Sequence, residues 1–247
     1  MFKIFNKVAK VFNSGKSPFT SAIILCAGAS SRFGANKQTT MVLSKPVVAR
    51  TIDAFEQCEK INEIILVVPK EDLLSFQDIV AENDYSKIGA IVIGGETRQL
   101  SAMRGLKHVS SKAKYIAIHD GARCLITPKI IEDVLLDAID FGCATAATRV
   151  TDTVKLSDED GFIKKTVDRS NLWNVQTPQI FEAEAYKGAS YVAWEKGIEV
   201  TDDCMLAEYA GLSIKLVETG KDNIKITYPE DIALAEHILL KRNGDEQ

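Results

Sequence analysis

Short apolar runs rich in β-branched residues, each followed by a stretch of helical length, constrain this chain more than any other feature. AIILC (22–26), NEIILVVP (62–69), GAIVIGG (89–95) and KYIAIHD (114–120) precede helical patterns over 47–57, 71–82, 98–108 and 128–141. That alternation is the pattern of βαβ units on a parallel sheet. The expected fold is therefore α/β: a Rossmann-like, mostly parallel twisted sheet with helices on both faces. Such sheets bind ligands beyond the carboxyl ends of their strands. Here those ends read CAGASSR, GGETR and HDGAR, three small-residue loops that each contain an arginine. Three cationic loops on one edge predict one anion site, because small residues let backbone N–H groups approach a phosphate while the cations balance its charge.

The alternation breaks at 148–181. There TRVTDTVKLSDEDGFIKKTVDRSNLWNVQTPQIF has two alternating runs around a DEDG turn, as a hairpin would. This reads as an antiparallel β-arm, about 148–174, inserted into the sheet protein. Helical patterns resume near 182 and 202. LSIKLVE (212–218) and DNIKIT (222–227) read as further strands, and PEDIALAEHILLKR (229–242) as a closing helix with Pro229 in its first turn. Residues 21–247 are expected to form a single domain.

Residues 1–20 differ from the rest, with four lysines and no acidic residue. Lys3, Lys7 and Lys10 would share one helical face, with Phe5, Ala9 and Phe12 opposite. Such a basic amphipathic extension could contact a membrane surface or a partner, or pack on its own domain. No apolar run is long enough for an exported leader or a membrane span, so a cytoplasmic protein is expected. The net charge of −4 argues against a duplex-binding protein, which would need a basic surface, so no nucleic-acid partner is expected. The five cysteines form no CxxC pair and do not cluster with His108, His119 or His237, as befits free thiols in a reducing compartment.

The first loop is neither of the common phosphate fingerprints. Five residues separate Gly28 from Gly34, Ala35 follows, and no GxGxxG occurs. A Walker loop has four intervening residues and then GK[ST]. The cation spacing is more informative: three residues separate Gly28 from Arg32, and four separate Arg32 from Lys37. Together with IHDGAR, TVDRSNLWNVQTPQIF, TDD and DNIKITYPED, this spacing resembles the 2-C-methyl-D-erythritol 4-phosphate cytidylyltransferase family over about residues 21–240.

The resemblance implies transfer of CMP from CTP to 2-C-methyl-D-erythritol 4-phosphate, giving 4-diphosphocytidyl-2-C-methyl-D-erythritol and pyrophosphate in non-mevalonate isoprenoid biosynthesis. It implies catalytic roles for Arg32, Lys37, Arg169 and Lys225, and nucleotide contacts at Cys26, Ala27, Gly28, Gly94, Gly95 and Ser101. Acceptor contacts would come from Asp120, Arg123, Thr153, Arg169, Thr177, Thr201 and Asp202, with Mg²⁺ or another divalent cation at Asp120. Arg98 would support the second loop. The family's arm exchanges between the subunits of a homodimer, and Leu172 and Trp173 would be buried there.

The first loop departs from the family pattern at Leu25, Cys26, Ser30, Phe33 and Asn36, and Cys124 replaces a familiar proline. Thiols at Cys26 and Cys124 beside the site would make the protein sensitive to alkylation. Two rival readings stand: a cytidylyltransferase for ribitol 5-phosphate or another polyol phosphate, and a non-catalytic nucleotide-binding regulator.

Overall fold

A computed structural model describes residues 17–28, 33–34 and 36–245. Arg32, Ser30 and the extension up to residue 16 lie outside them, so the expectations placed there are not addressed by the structure. The central sheet has seven strands in the order β11-β7-β10-β6-β1-β4-β5. In chain order the members are β1 (Thr20–Leu25), β4 (Glu63–Val68), β5 (Ile88–Ile93), β6 (Tyr115–Asp120), β7 (Cys143–Arg149), β10 (Trp173–Glu182) and β11 (Lys215–Glu218). Only β10 runs antiparallel to its neighbours β6 and β7; the other pairings are parallel.

Strand alternation explains the layers. In β1, Ala22 and Ile24 point into one core, shared with α1 (Val47–Gln57), α2 (Leu73–Glu82) and α4 (Pro128–Phe141). Ile23 and Leu25 point to the opposite face, covered by α3 (Arg98–Leu106), α5 (Ala183–Glu195) and α6 (Asp203–Tyr209). Both faces of β1 are buried, which is why it reads as a continuous apolar run. A third cluster packs α7 (Asp231–Asp245) through Ala235 against Val42, Leu125 and Ile226.

The chain winds outward from β1 to β4 and β5, then returns through α3 to β6 on the other side of β1. The carboxyl ends of β1 and β6 therefore flank the topological switch point, where doubly wound sheets bind ligands.

Two short strands, β2 (Met41–Val42) and β3 (Lys45–Pro46), form an unforeseen hairpin ahead of α1. The inserted arm contains β8 (Lys155–Ser157) and β9 (Ile163–Thr166), paired antiparallel around a turn closed by Gly161 at φ +86°. All seven residues of the two strands are exposed.

The strand expected at DNIKIT is absent, and 222–227 is an extended coil. Its polar groups are used otherwise: the Asn223 side-chain amide donates to Gln176 Oε1 and to the Thr177 carbonyl, and Ile226 N donates to the Ala122 carbonyl. β11 already occupies the sheet edge beside β7. No helix among the described residues is long and apolar enough to cross a membrane.

Candidate active site

The end of β6 places Asp120 at the switch point, buried, with three cations around it. Lys225 Nζ lies 2.8 Å from Oδ2, Arg98 Nε lies 3.4 Å from Oδ1, and Arg123 Nε lies 3.8 Å from Oδ2. Burial alone would raise the carboxyl's pKa, but Lys225, Arg98 and Arg123 together outweigh it and hold the group well below the usual carboxylate range. Each cation comes from a different place. Arg98 opens α3, Arg123 lies in the loop between β6 and α4, and Lys225 lies on the coil before α7. Arg123 is itself anchored, since Nη1 donates to the Asn223 carbonyl.

His119, the neighbour of Asp120, is fully buried and faces Phe55, with ring centroids 5.0 Å apart. Burial pushes its pKa down to about 3. Its Nε2 meets the Arg123 carbonyl, which can only accept, so Nε2 bears the proton and Nδ1 accepts from the Thr177 hydroxyl at 3.1 Å. The same hydroxyl accepts from Asp120 N at 3.0 Å. Thr177 is thus buried with its oxygen engaged, and it ties β10 to the backbone of Asp120.

The nucleotide-side residues form two loops that touch. A Cβ on Gly94 would lie 2.2 Å from Ala27 Cβ and 2.9 Å from Ser101 Oγ, so only glycine lets the loops after β1 and β5 come together. A Cβ on Gly95 would lie 2.5 Å from Leu100 Cβ. Ser101 Oγ accepts from Gly95 N and donates to the Thr97 carbonyl, which fixes the second loop. Gly28 has open space where a side chain would start. Lys37 is half-buried and near enough to the Cys26 thiol to act on it electrostatically.

Both site thiols are buried. Cys26 is pushed far above the ordinary thiol range by burial, then by Asp120, against an opposing effect of Lys37. Burial lifts Cys124 to about 11. Thiolates are the reactive form, so the structure argues against the alkylation sensitivity expected from sequence. All five cysteines are free.

Asp202 caps α6 by accepting from Met205 N at 2.9 Å, and it also accepts from Gln179 Nε2 at 2.8 Å. Thr201 beside it is exposed, its hydroxyl 3.8 Å from the Met205 sulfur. Thr153 and Arg169 sit apart, on the exposed arm, where the Arg169 guanidinium donates to the Thr151 carbonyl. Among the described residues, one chain therefore gathers Asp120, Arg123, Lys225 and the two small-residue loops.

Sequence reasoning gave Arg98 a loop-supporting role without its carboxylate partners, and it missed Gln179 and Gln176. Arg98 reaches Asp120 and also Asp203, whose Oδ2 is 2.6 Å from Nη1. Gln179 Oε1 accepts from Asp203 N and Cys204 N at the start of α6. Gln176 Oε1 accepts from Thr219 and Asn223. The two glutamines flank TP in a stretch already singled out, but which groups they reach depends on the fold.

No group of three or more histidine, cysteine or carboxylate ligands occurs among the described residues. A single carboxylate facing three cations does not suit a resident divalent ion. It fits as the one protein ligand of an ion that phosphate oxygens also hold.

A cation-ringed carboxylate at the switch point of a doubly wound sheet places the protein among α/β enzymes that handle phosphate esters. The family profile for 2-C-methyl-D-erythritol 4-phosphate cytidylyltransferase matches residues 20–241. A relative of that description from Desulforamulus reducens is 42% identical over 90% of this chain and 96% of its own length. One from Caldanaerobacter subterraneus is 43% identical over 90% of this chain and 99% of its own. The crystal structure of 4-diphosphocytidyl-2C-methyl-D-erythritol synthase from Anaerococcus prevotii superposes with a TM-score of 0.82 at 31% identity, covering 91% of this chain and all of that one. The chain belongs to the 2-C-methyl-D-erythritol 4-phosphate cytidylyltransferase family.

Proposed function

We propose that this chain transfers CMP from CTP to 2-C-methyl-D-erythritol 4-phosphate, releasing pyrophosphate and forming 4-diphosphocytidyl-2-C-methyl-D-erythritol for isoprenoid precursors. The observation that carries the reading is the ring of Lys225, Arg98 and Arg123 around Asp120, beside the abutting 26–28 and 94–95 loops. An acceptor phosphate oxygen attacks the α-phosphorus of CTP. The new P–O bond forms as the bond to the bridging oxygen of the β-phosphate breaks, and pyrophosphate leaves with that electron pair. A phosphate oxyanion is already a nucleophile at neutral pH, so the step needs no general base. His119 fits that economy, being neutral with both ring nitrogens occupied.

Catalysis then consists of positioning two polyanions and offsetting their repulsion. Arg32 and Lys37 serve the triphosphate, Cys26, Ala27 and Gly28 offer backbone contacts to it, and Gly94, Gly95 and Ser101 shape the base loop. Lys225 and Arg123 receive the acceptor phosphate, with Thr177 supporting Asp120 from behind and Thr201 and Asp202 at the acceptor's other end. Asp120 would hold Mg²⁺ together with phosphate oxygens, and the ion would supply charge neutralisation there.

The arm supports a homodimer. An isolated two-stranded hairpin is marginal in water, yet this one exposes Phe162 (73%) and Ile163 (65%). A second copy that buries these residues would also bring Thr153 and Arg169 to its neighbour's acceptor site. We place the work of the enzyme in a reducing, cytoplasmic setting, in line with its five free thiols.

The test is pyrophosphate release with Mg²⁺ and CTP, comparing methylerythritol 4-phosphate, ribitol 5-phosphate and no acceptor. Release with the first alone is the expected result. Release with ribitol phosphate alone replaces the acceptor and keeps the mechanism. CTP binding without release under any condition makes the protein a nucleotide-binding regulator.

A further inference from the structure

Building on the transfer reading, we propose that Arg98 is a positioning residue. It aligns the Asp120 carboxylate with the nucleotide loop and with α6, so that the donor and acceptor halves of the site move as one unit.

The geometry is specific. Arg98 is the first residue of α3 and follows Gly95 by three positions, so its backbone belongs to the nucleotide side. Its guanidinium crosses to the acceptor side and faces two carboxylates from two other elements. Nη1 donates to Asp203 Oδ2 at 2.6 Å, and Nε approaches Asp120 Oδ1 at 3.4 Å. The first is a short charge-assisted bond and the second is long for one. Asp203 therefore sets the plane of the guanidinium, and the plane sets what Asp120 meets. Asp203 is itself immobilised: Oδ1 accepts from the Tyr186 hydroxyl at 2.7 Å, and its N–H donates to Gln179 Oε1 at 2.9 Å. From the other side, Lys225 holds Asp120 Oδ2. The carboxylate is thus clamped between a fixed guanidinium and the lysine assigned to the attacking phosphate.

Only arginine suits this place. A planar fork can present different N–H edges to two carboxylates, whereas an ammonium is a single point charge. Arg98 Nη2 is buried without a partner, so the guanidinium is oriented by these two carboxylates and not by a saturated cage. A purely structural ion pair joining α3 to α6 would need Asp203 but would gain nothing from the edge turned toward Asp120.

Steady-state rates and melting temperatures of the wild type, Arg98→Lys, Asp203→Asn and the double variant decide the matter. Each single change is expected to lower kcat/KM for the acceptor by about tenfold or more, on the scale of small misplacements in catalytic sites. CTP affinity, measured by calorimetry without acceptor, is expected to stay within about threefold of wild type. The double variant should be little worse than either single one, because both break one chain of contacts. Acceptor kinetics equal to wild type for Arg98→Lys, with only the melting temperature lowered, would make the pair structural and overturn the proposal. Additive losses, or equal losses for CTP and acceptor, would overturn it too. A wild-type protein that releases no pyrophosphate refutes the transfer reading and the inference with it, whereas an active wild type with an unaltered Arg98→Lys variant refutes the inference alone.

Discussion

Asp120 and His119 are adjacent in sequence and side by side at the end of β6, yet their surroundings drive them apart. Asp120 gains cations that keep it charged, while His119 lies in a solvent-free space against Phe55 that keeps it neutral. The histidine has a measurable consequence for stability. Its folded pKa, about 3, lies below the ordinary value near 6.5. Between these values the unfolded chain binds a proton that the folded chain does not, so this stabilisation is present above about pH 6.5 and is lost as the pH falls. In metal-free buffer, unfolding free energy should drop toward pH 5 with a slope approaching one proton, about 1.4 kcal/mol per pH unit. His119→Gln should be less stable at neutral pH and nearly flat over that window; an unchanged slope in the variant would refute the assignment. Arg32→Ala belongs to the same scale. With Arg32 serving the triphosphate as proposed, its loss is expected to lower turnover by about 10²-fold or more, and near-normal turnover would remove Arg32 from the mechanism.

At the scale of elements, the site depends on two loops packed with no room for a methyl group. Gly94→Ala would set a Cβ 2.2 Å from that of Ala27, and the loops after β1 and β5 would have to part. Overpacking of this kind costs about 1–3 kcal/mol, so denaturant unfolding should show a loss of that size and calorimetry a weaker CTP complex. Retention of both would mean that the loops yield freely. The strands and helices feeding these loops were readable from sequence because apolar period and segment length report directly on burial, as in the six buried residues of β1. DNIKIT misled because its alternation is equally suited to a coil whose polar groups are taken by Gln176, Thr177 and Ala122. β2 and β3 were missed because two residues have no period. The site was readable as motifs, but not as contacts. GGETR announced an arginine near a phosphate loop, while its reach to Asp120 and Asp203 depends on residues 22 and 105 positions away.

For the whole molecule, the dimer proposed above makes the arm decide whether one chain is a complete enzyme. The body brings Asp120, Arg123 and Lys225 together, whereas Arg169 and Thr153 stay on a hairpin whose strands are wholly exposed. At the arm's base Arg149 lies over the Trp173 ring at 4.3 Å, and Val150 N bonds the Leu172 carbonyl, so the hairpin leaves the sheet from a fixed root. A rooted hairpin with Phe162 and Ile163 uncovered gains most by burying both against another copy, at about 1.5–3 kcal/mol for each large apolar side chain. Changing both residues to aspartate leaves the body's core untouched, since neither side chain reaches it, and should convert the dimer to monomers in sedimentation experiments. Activity per chain should fall with it, most steeply in kcat/KM for the acceptor, because in the proposed dimer Thr153 and Arg169 would act on the neighbour's site. Wild-type activity per chain should likewise decline on dilution below the dimer's dissociation constant. A fully active monomer would show that each chain completes its own site and would return the arm residues to a purely structural role.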